Sequence, residues 1–136
     1  MPTRTWLVKS EPGTYSYDDL VRDKETVWDG IRNFEARNNL RAMKVGDQVL
    51  FYHTGTEKAV VALAKVSGEG FAEKTSDKGE WTAIKLKPVK ALKTPVPLAD
   101  IKGTASLKGI QLLTHSRLSV MPIPEAAAKI LLQMGA

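Results

Sequence analysis

Residues 28–53 read Trp28-Asp29-Gly30-Ile31-Arg32-Asn33-Phe34-Glu35-Ala36-Arg37-Asn38-Asn39-Leu40-Arg41-Ala42-Met43-Lys44-Val45-Gly46-Asp47-Gln48-Val49-Leu50-Phe51-Tyr52-His53. Two periodicities lie inside that run. Ile31 and Phe34 are three apart, and Ala36, Leu40 and Met43 continue at spacings of four and three. Side chains three and four apart stack on one side of an α-helix, so this spacing predicts a helix with an apolar face. Asp29 stands where an N-cap belongs. Asn33, Arg37 and Arg41 follow at spacings of four and share a second, polar face. Lys44-Val45-Gly46-Asp47 breaks the helix. Gln48 to His53 is rich in aromatic and branched residues and reads as a strand. Alternation along it predicts that one of Tyr52 and His53 points inward and the other outward.

Working outward, Thr54-Gly55-Thr56-Glu57 is a turn, and Lys58 to Ser67 is apolar almost throughout, which suits a buried strand. Gly68 to Glu80 is polar and contains glycine, so it reads as a loop. Trp81 to Lys87 alternates, predicting a half-exposed strand. Pro88 to Leu92 continues it at a sheet edge, because proline donates no ladder bond. Pro95 and Pro97 precede a helical turn at Leu98 to Ile101. Towards the N-terminus, Thr5 to Lys9 reads as an opening strand. Ser10-Glu11-Pro12-Gly13-Thr14 is a turn, and Ser16 caps a short helix through Val21. Leu118-Ser119-Val120 is a late short strand. Pro124 opens a final helix, Glu125 to Gln133. Short strands interrupted by short helices predict a single α+β domain over residues 1–136, built as a small, mostly antiparallel β-barrel.

Composition narrows the chemistry. The 136 residues carry a net charge of +5 and no cysteine. Disulfides, a thiolate nucleophile and cysteine-ligated metal are therefore excluded. No apolar run reaches the ~18 residues of a membrane span. The N-terminus lacks the pattern of a secretory signal. These features predict a cytoplasmic monomer with no membrane partner. The positive charge points to an anionic partner, and its clustering says more than its size. Arg32, Arg37, Arg41 and Lys44 fall in one short stretch opposed by Glu35. There is no metal-ligand spacing and no phosphate-cradling glycine loop. Ser10, His53 and Asp29 make an imaginable triad, but no nucleophile-elbow motif supports it. The expectation is a binding protein without enzymatic activity, metal or cofactor.

Three segments together resemble the EVE family of the PUA-like superfamily: Trp6-Leu7-Val8-Lys9-Ser10-Glu11-Pro12, the whole of residues 28–53, and Arg117-Leu118-Ser119-Val120-Met121-Pro122. The sequence departs from the usual family pattern at Phe71-Ala72-Glu73-Lys74-Thr75. The resemblance implies a PUA-like barrel flanked by helices, similar in plan to the YTH domains, with a concave pocket. It also implies a reader of modified bases, such as methylated or hydroxymethylated cytosine, in DNA or RNA. On that reading Trp28 stacks on a base that has left its helix, since stacking on an aromatic contributes about 1–3 kcal/mol. Ser10 and Asn33 read the base edge, and Lys9, Arg37 and Arg117 hold phosphates. Tyr52 or His53 completes the mouth. Each residue has a plainer alternative. Trp28 packs as core, Ser10 caps its turn, His53 is a satisfied structural histidine, and the arginines are solvated. The rival function is a small-molecule or protein-interaction module on the same scaffold.

Overall fold

A computed structural model of the chain describes residues 4–13, 15–28, 38–40, 42–72, 82–115 and 118–135, with the side chains of residues 69–72, 82 and 83 left aside. Six strands form one sheet: β1 (Thr5–Ser10), β2 (Thr26–Trp28), β3 (Gln48–His53), β4 (Ala59–Ala72), β5 (Thr82–Pro97) and β6 (Val120–Ile123). Their spatial order is β2-β5-β4-β3-β1-β6. The described helices are α1 (Tyr17–Asp23), α2 (Leu98–Lys102), α3 (Gln111–Thr114) and α4 (Glu125–Met134), with a 3-10 turn at Ala105–Leu107. Of the helix expected over residues 31–43, residues 38–40 and 42 are helical, and most of the remainder lies outside the described residues.

The sheet is mixed. β1 runs parallel to β3 on one side and antiparallel to β6 on the other; β3, β4, β5 and β2 follow antiparallel. β4 and β5 span 14 and 16 residues and carry register shifts at Val60/Ala62, Leu63/Ala64, Val66/Gly68 and Gly68/Phe71. Each extra residue bends its strand and increases the local twist. The long pair therefore curls instead of lying flat, and the sheet becomes a half-barrel. The curl can be measured. Trp28 on β2 and Phe51 on β3 are separated by β5 and β4 in the sheet, yet their ring centroids lie 5.6 Å apart. Neighbouring strands are spaced about 4.8 Å, so three steps across a flat sheet exceed that gap more than twofold.

The expected loop from Gly68 is corrected: β4 continues through Ala72. Its polar, glycine-bearing sequence is accommodated by the irregularities around Gly68. The short β2 was not anticipated, since three residues are too few to show a period. β6 begins at Val120 and takes in Met121-Pro122-Ile123, later than the segment expected. Pro124 is the N-cap of α4, one position before the first helical residue. The proline-rich half of β5 is an outer strand as expected, because β2 covers only Ile84 to Leu86.

Local contacts anchor the turns. Asp47 is 4% exposed and accepts from Trp6 Nε1 at 2.9 Å, Lys44 N at 3.0 Å and Arg4 N at 3.2 Å. Gly46 has φ +94°, the left-handed backbone that its turn requires. At α1, Ser16 accepts from Asp19 N while Asp19 accepts from Ser16 N, a reciprocal capping box.

Candidate nucleic-acid interface

The parallel pairing of β1 with β3 sets Lys9 opposite Tyr52 and Ser10 opposite His53. Four sequence-predicted residues thus meet at one end of two adjacent strands. The pleat then divides them. Directly paired residues share a face and successive residues alternate, so Ser10 and His53 face one way and Lys9 and Tyr52 the other. Phe51 belongs to the first face: its ring centroid is 5.7 Å from His53, 5.6 Å from Trp28 and 5.8 Å from Tyr17. This is the concave side of the sheet. Trp28 is half-buried there, edge-on to Phe51 and to Tyr15, whose centroid is 6.3 Å away.

His53, not Tyr52, shares the Trp28 face, and the expectation that one of the two points outward does not hold. Tyr52 is 4% exposed and His53 8%, because both sides of the sheet are covered at this point. His53 Nε2 accepts the Tyr17 N–H at 3.1 Å, so its ring proton sits on Nδ1, 2.7 Å from the Glu57 carboxylate. The imidazole therefore helps cap α1. Ser10 donates its hydroxyl proton to the Tyr15 carbonyl. Each of these two side chains is thus bonded to another partner, and the imagined triad gains no geometric support among the described residues.

Tyr15 was missed by sequence reasoning. Its phenol donates to Asp23 Oδ2 at 2.8 Å, and Ser10 holds its backbone, so the ring is fixed beside Trp28. Burial raises its pKa above the ordinary tyrosine value, a Thr26 hydrogen bond lowers it and Asp23 raises it further. The available signal was its place in the turn between β1 and α1, four residues beyond Glu11, whose carbonyl accepts the Tyr15 N–H at 2.8 Å. On the other face Lys9 is half-buried, and burial lowers its pKa below the usual lysine value. Burial likewise raises Tyr52. Asn33, Arg37 and Arg117 lie outside the described residues. A hollow of about 310 Å³ opens beside the β3–β4 turn, lined by Glu57, Lys58, Pro97, Leu98, Ala99 and Lys102; it includes none of the clustered rings.

A curled six-stranded α+β sheet with short helices and an aromatic inner corner is a half-barrel of the PUA-like kind. An ASCH protein from Zymomonas mobilis shares that fold, with a TM-score of 0.65 over 98% of this chain and 96% of its own at 14% identity. The chain belongs to the EVE domain family, whose model matches residues 4–134. Human thymocyte nuclear protein 1 is 32% identical over 88% of this chain and 68% of its own length. A protein from Agrobacterium tumefaciens superposes with a TM-score of 0.94 at 34% identity, covering 98% of this chain and 94% of the other. The crystal structure of human THYN1 in complex with 5-methylcytosine-containing DNA superposes with a TM-score of 0.88 at 29% identity, covering 98% of each chain.

Proposed function

We propose that this protein binds nucleic acid and accepts a modified base, 5-methylcytosine or a close analogue, at the concave corner that holds Trp28. The observation that carries the reading is the likeness to human THYN1 in complex with 5-methylcytosine-containing DNA, which extends over 98% of both chains. The corner has chemistry suited to the task. Trp28 is half-buried, so its indole is held by Phe51 and Tyr15 and retains exposed surface for a base to stack on. Ser10 acts through Tyr15, whose backbone it fixes. Asn33 is assigned to the base edge, and Arg37 and Arg117 to phosphates. Lys9, half-buried, faces away from Trp28 and would meet a different part of the same strand, while Tyr52 is buried on that side and supports it from within. His53 supports the corner by holding the first turn of α1.

The test is fluorescence anisotropy with matched oligonucleotides, with and without 5-methylcytosine. Trp28→Ala should weaken binding of the methylated oligonucleotide about tenfold or more, in line with a lost stacking contact. Equal binding by the variant and the parent would rule out this placement of the base.

A further inference from the structure

The positive charge has a second concentration, on the opposite side of the sheet from Trp28. Ile84 and Leu86 of β5 are fully buried, so Lys85 and Lys87 between and beyond them turn outward. Lys65 of β4 is the direct cross-strand partner of Lys87. Lysines directly opposite each other repel, and a sheet gains nothing from the pair. Lys85 pairs with Val27 of β2, which is 43% exposed. Its aliphatic stem also crosses Gly68: a Cβ there would lie 3.2 Å from Lys85 Cβ and Cδ. A glycine at this point thus lets the stem lie flat against β4, with its ammonium carried to the surface.

Two cations elsewhere are matched. Arg22 pairs with Asp19 and Asp23 at 3.0 Å, and Lys129 lies 3.8 Å from Glu125. Among the described residues no carboxylate lies within ion-pair distance of Lys65, Lys85 or Lys87. Lys90 and Lys93 are exposed further along β5. Lys85 and Lys87 stand about 6.7 Å apart along the strand. That is close to the distance between adjacent phosphates of one strand, which exceeds the ~3.4 Å axial rise because the backbone winds around the axis.

We infer that the convex face of β4 and β5, centred on Lys65, Lys85 and Lys87, is a second phosphate-binding surface that holds nucleic-acid backbone beyond the segment whose base enters the concave corner. The inference takes only its class of partner from the function proposed above. The experiment compares a short single-stranded oligonucleotide and a long duplex, each with and without one 5-methylcytosine, and phosphatidylserine vesicles, across a salt series. The proteins are the parent, K65Q/K85Q/K87Q, and the charge-matched control K102Q/K108Q/K129Q. Circular dichroism and thermal melting check that each is folded.

On the duplex the first triple variant should lose about 2.7 from the slope of log affinity against log salt. Its affinity should then fall about 40-fold less than the parent's between about 50 and 200 mM salt. The short oligonucleotide should bind all three proteins alike, and the control should follow the parent. A parent-like slope in K65Q/K85Q/K87Q overturns the inference, as does an equal loss in the control. It is also overturned if those lysines govern only binding to phosphatidylserine vesicles. Should the duplex slope depend on the lysines while methylation makes no difference, the base-reading proposal fails and this surface stands. Methylation-dependent binding without the slope change sinks this surface and leaves base reading intact. A parent that binds neither nucleic acid sinks both.

Discussion

Asp47 shows how a single acid can join distant parts of a small sheet. Its carboxylate takes the buried Trp6 indole N–H from β1 and the part-buried backbone amides of Arg4 and Lys44. Asp47→Ala leaves the buried indole N–H unpaired, at a cost of about 1–3 kcal/mol, and removes two part-buried amide bonds as well. The expected loss is about 3 kcal/mol after partial relaxation, read as a lower urea midpoint; Trp6→Phe should cost about 1 kcal/mol. The sequence revealed Asp47 only as part of a turn, because its partners lie 41 and 43 positions away or in the local backbone. The same limit applies to Tyr52 and His53. Alternation told them apart correctly as facing opposite sides, but could not reveal that both sides are covered. Tyr15 was invisible for a similar reason: its value comes from Trp28, 13 positions on, and from Ser10 behind it.

Among the elements, those with local signals were legible. Ser16 announced α1, and the capping box bears it out. Ser16→Ala should lower stability by about 1 kcal/mol in a thermal or urea melt. Asp19 of that box has its pKa depressed, chiefly by the Ser16 backbone amide. A depressed acid contributes stability that is whole above its unfolded value and is lost as pH falls through the folded one. The melting midpoint should therefore drop as pH falls below about 4, and less steeply in Asp19→Asn. Gly135 closes α4 against Leu92, where a Cβ would come within 2.6 Å of Leu92 Cδ1. Gly135→Ala should cost about 1–3 kcal/mol as the end of β5 and the helix move apart. β2 and the extension of β4 were not legible. Both are held in place by pairing with β5, and neither has a strong period of its own.

At the scale of the whole molecule, Tyr15, Tyr17 and Tyr52 all have raised pKa values, burial being the first cause in each. A raised tyrosine keeps its full contribution below the unfolded value near 10.0 and loses it as pH climbs through the folded value. Lys9, lowered by burial, works in the opposite sense: its penalty fades as pH rises towards 10.5. The tyrosines therefore make the melting midpoint fall as pH rises above about 10, and Tyr52→Phe should reduce the fall. The fold class itself was readable from the alternation of strand and helix signals. The curl was not, since it arises from bulges that appear only when two strands are set side by side.

The position of β1 carries a consequence for how the chain is made. The first strand of this domain to leave the ribosome is an interior one, flanked by β3 and by β6, whose residues follow more than 40 and more than 110 positions later. Until Val120–Ile123 emerges, Trp6-Leu7-Val8 must wait with one side open, an apolar edge of the kind that captures other chains. Long-range pairing of this sort slows folding. Emergence of β6 is thus the moment at which the oldest segment of the domain is finally enclosed, and a chain halted before β6 should be found in aggregates.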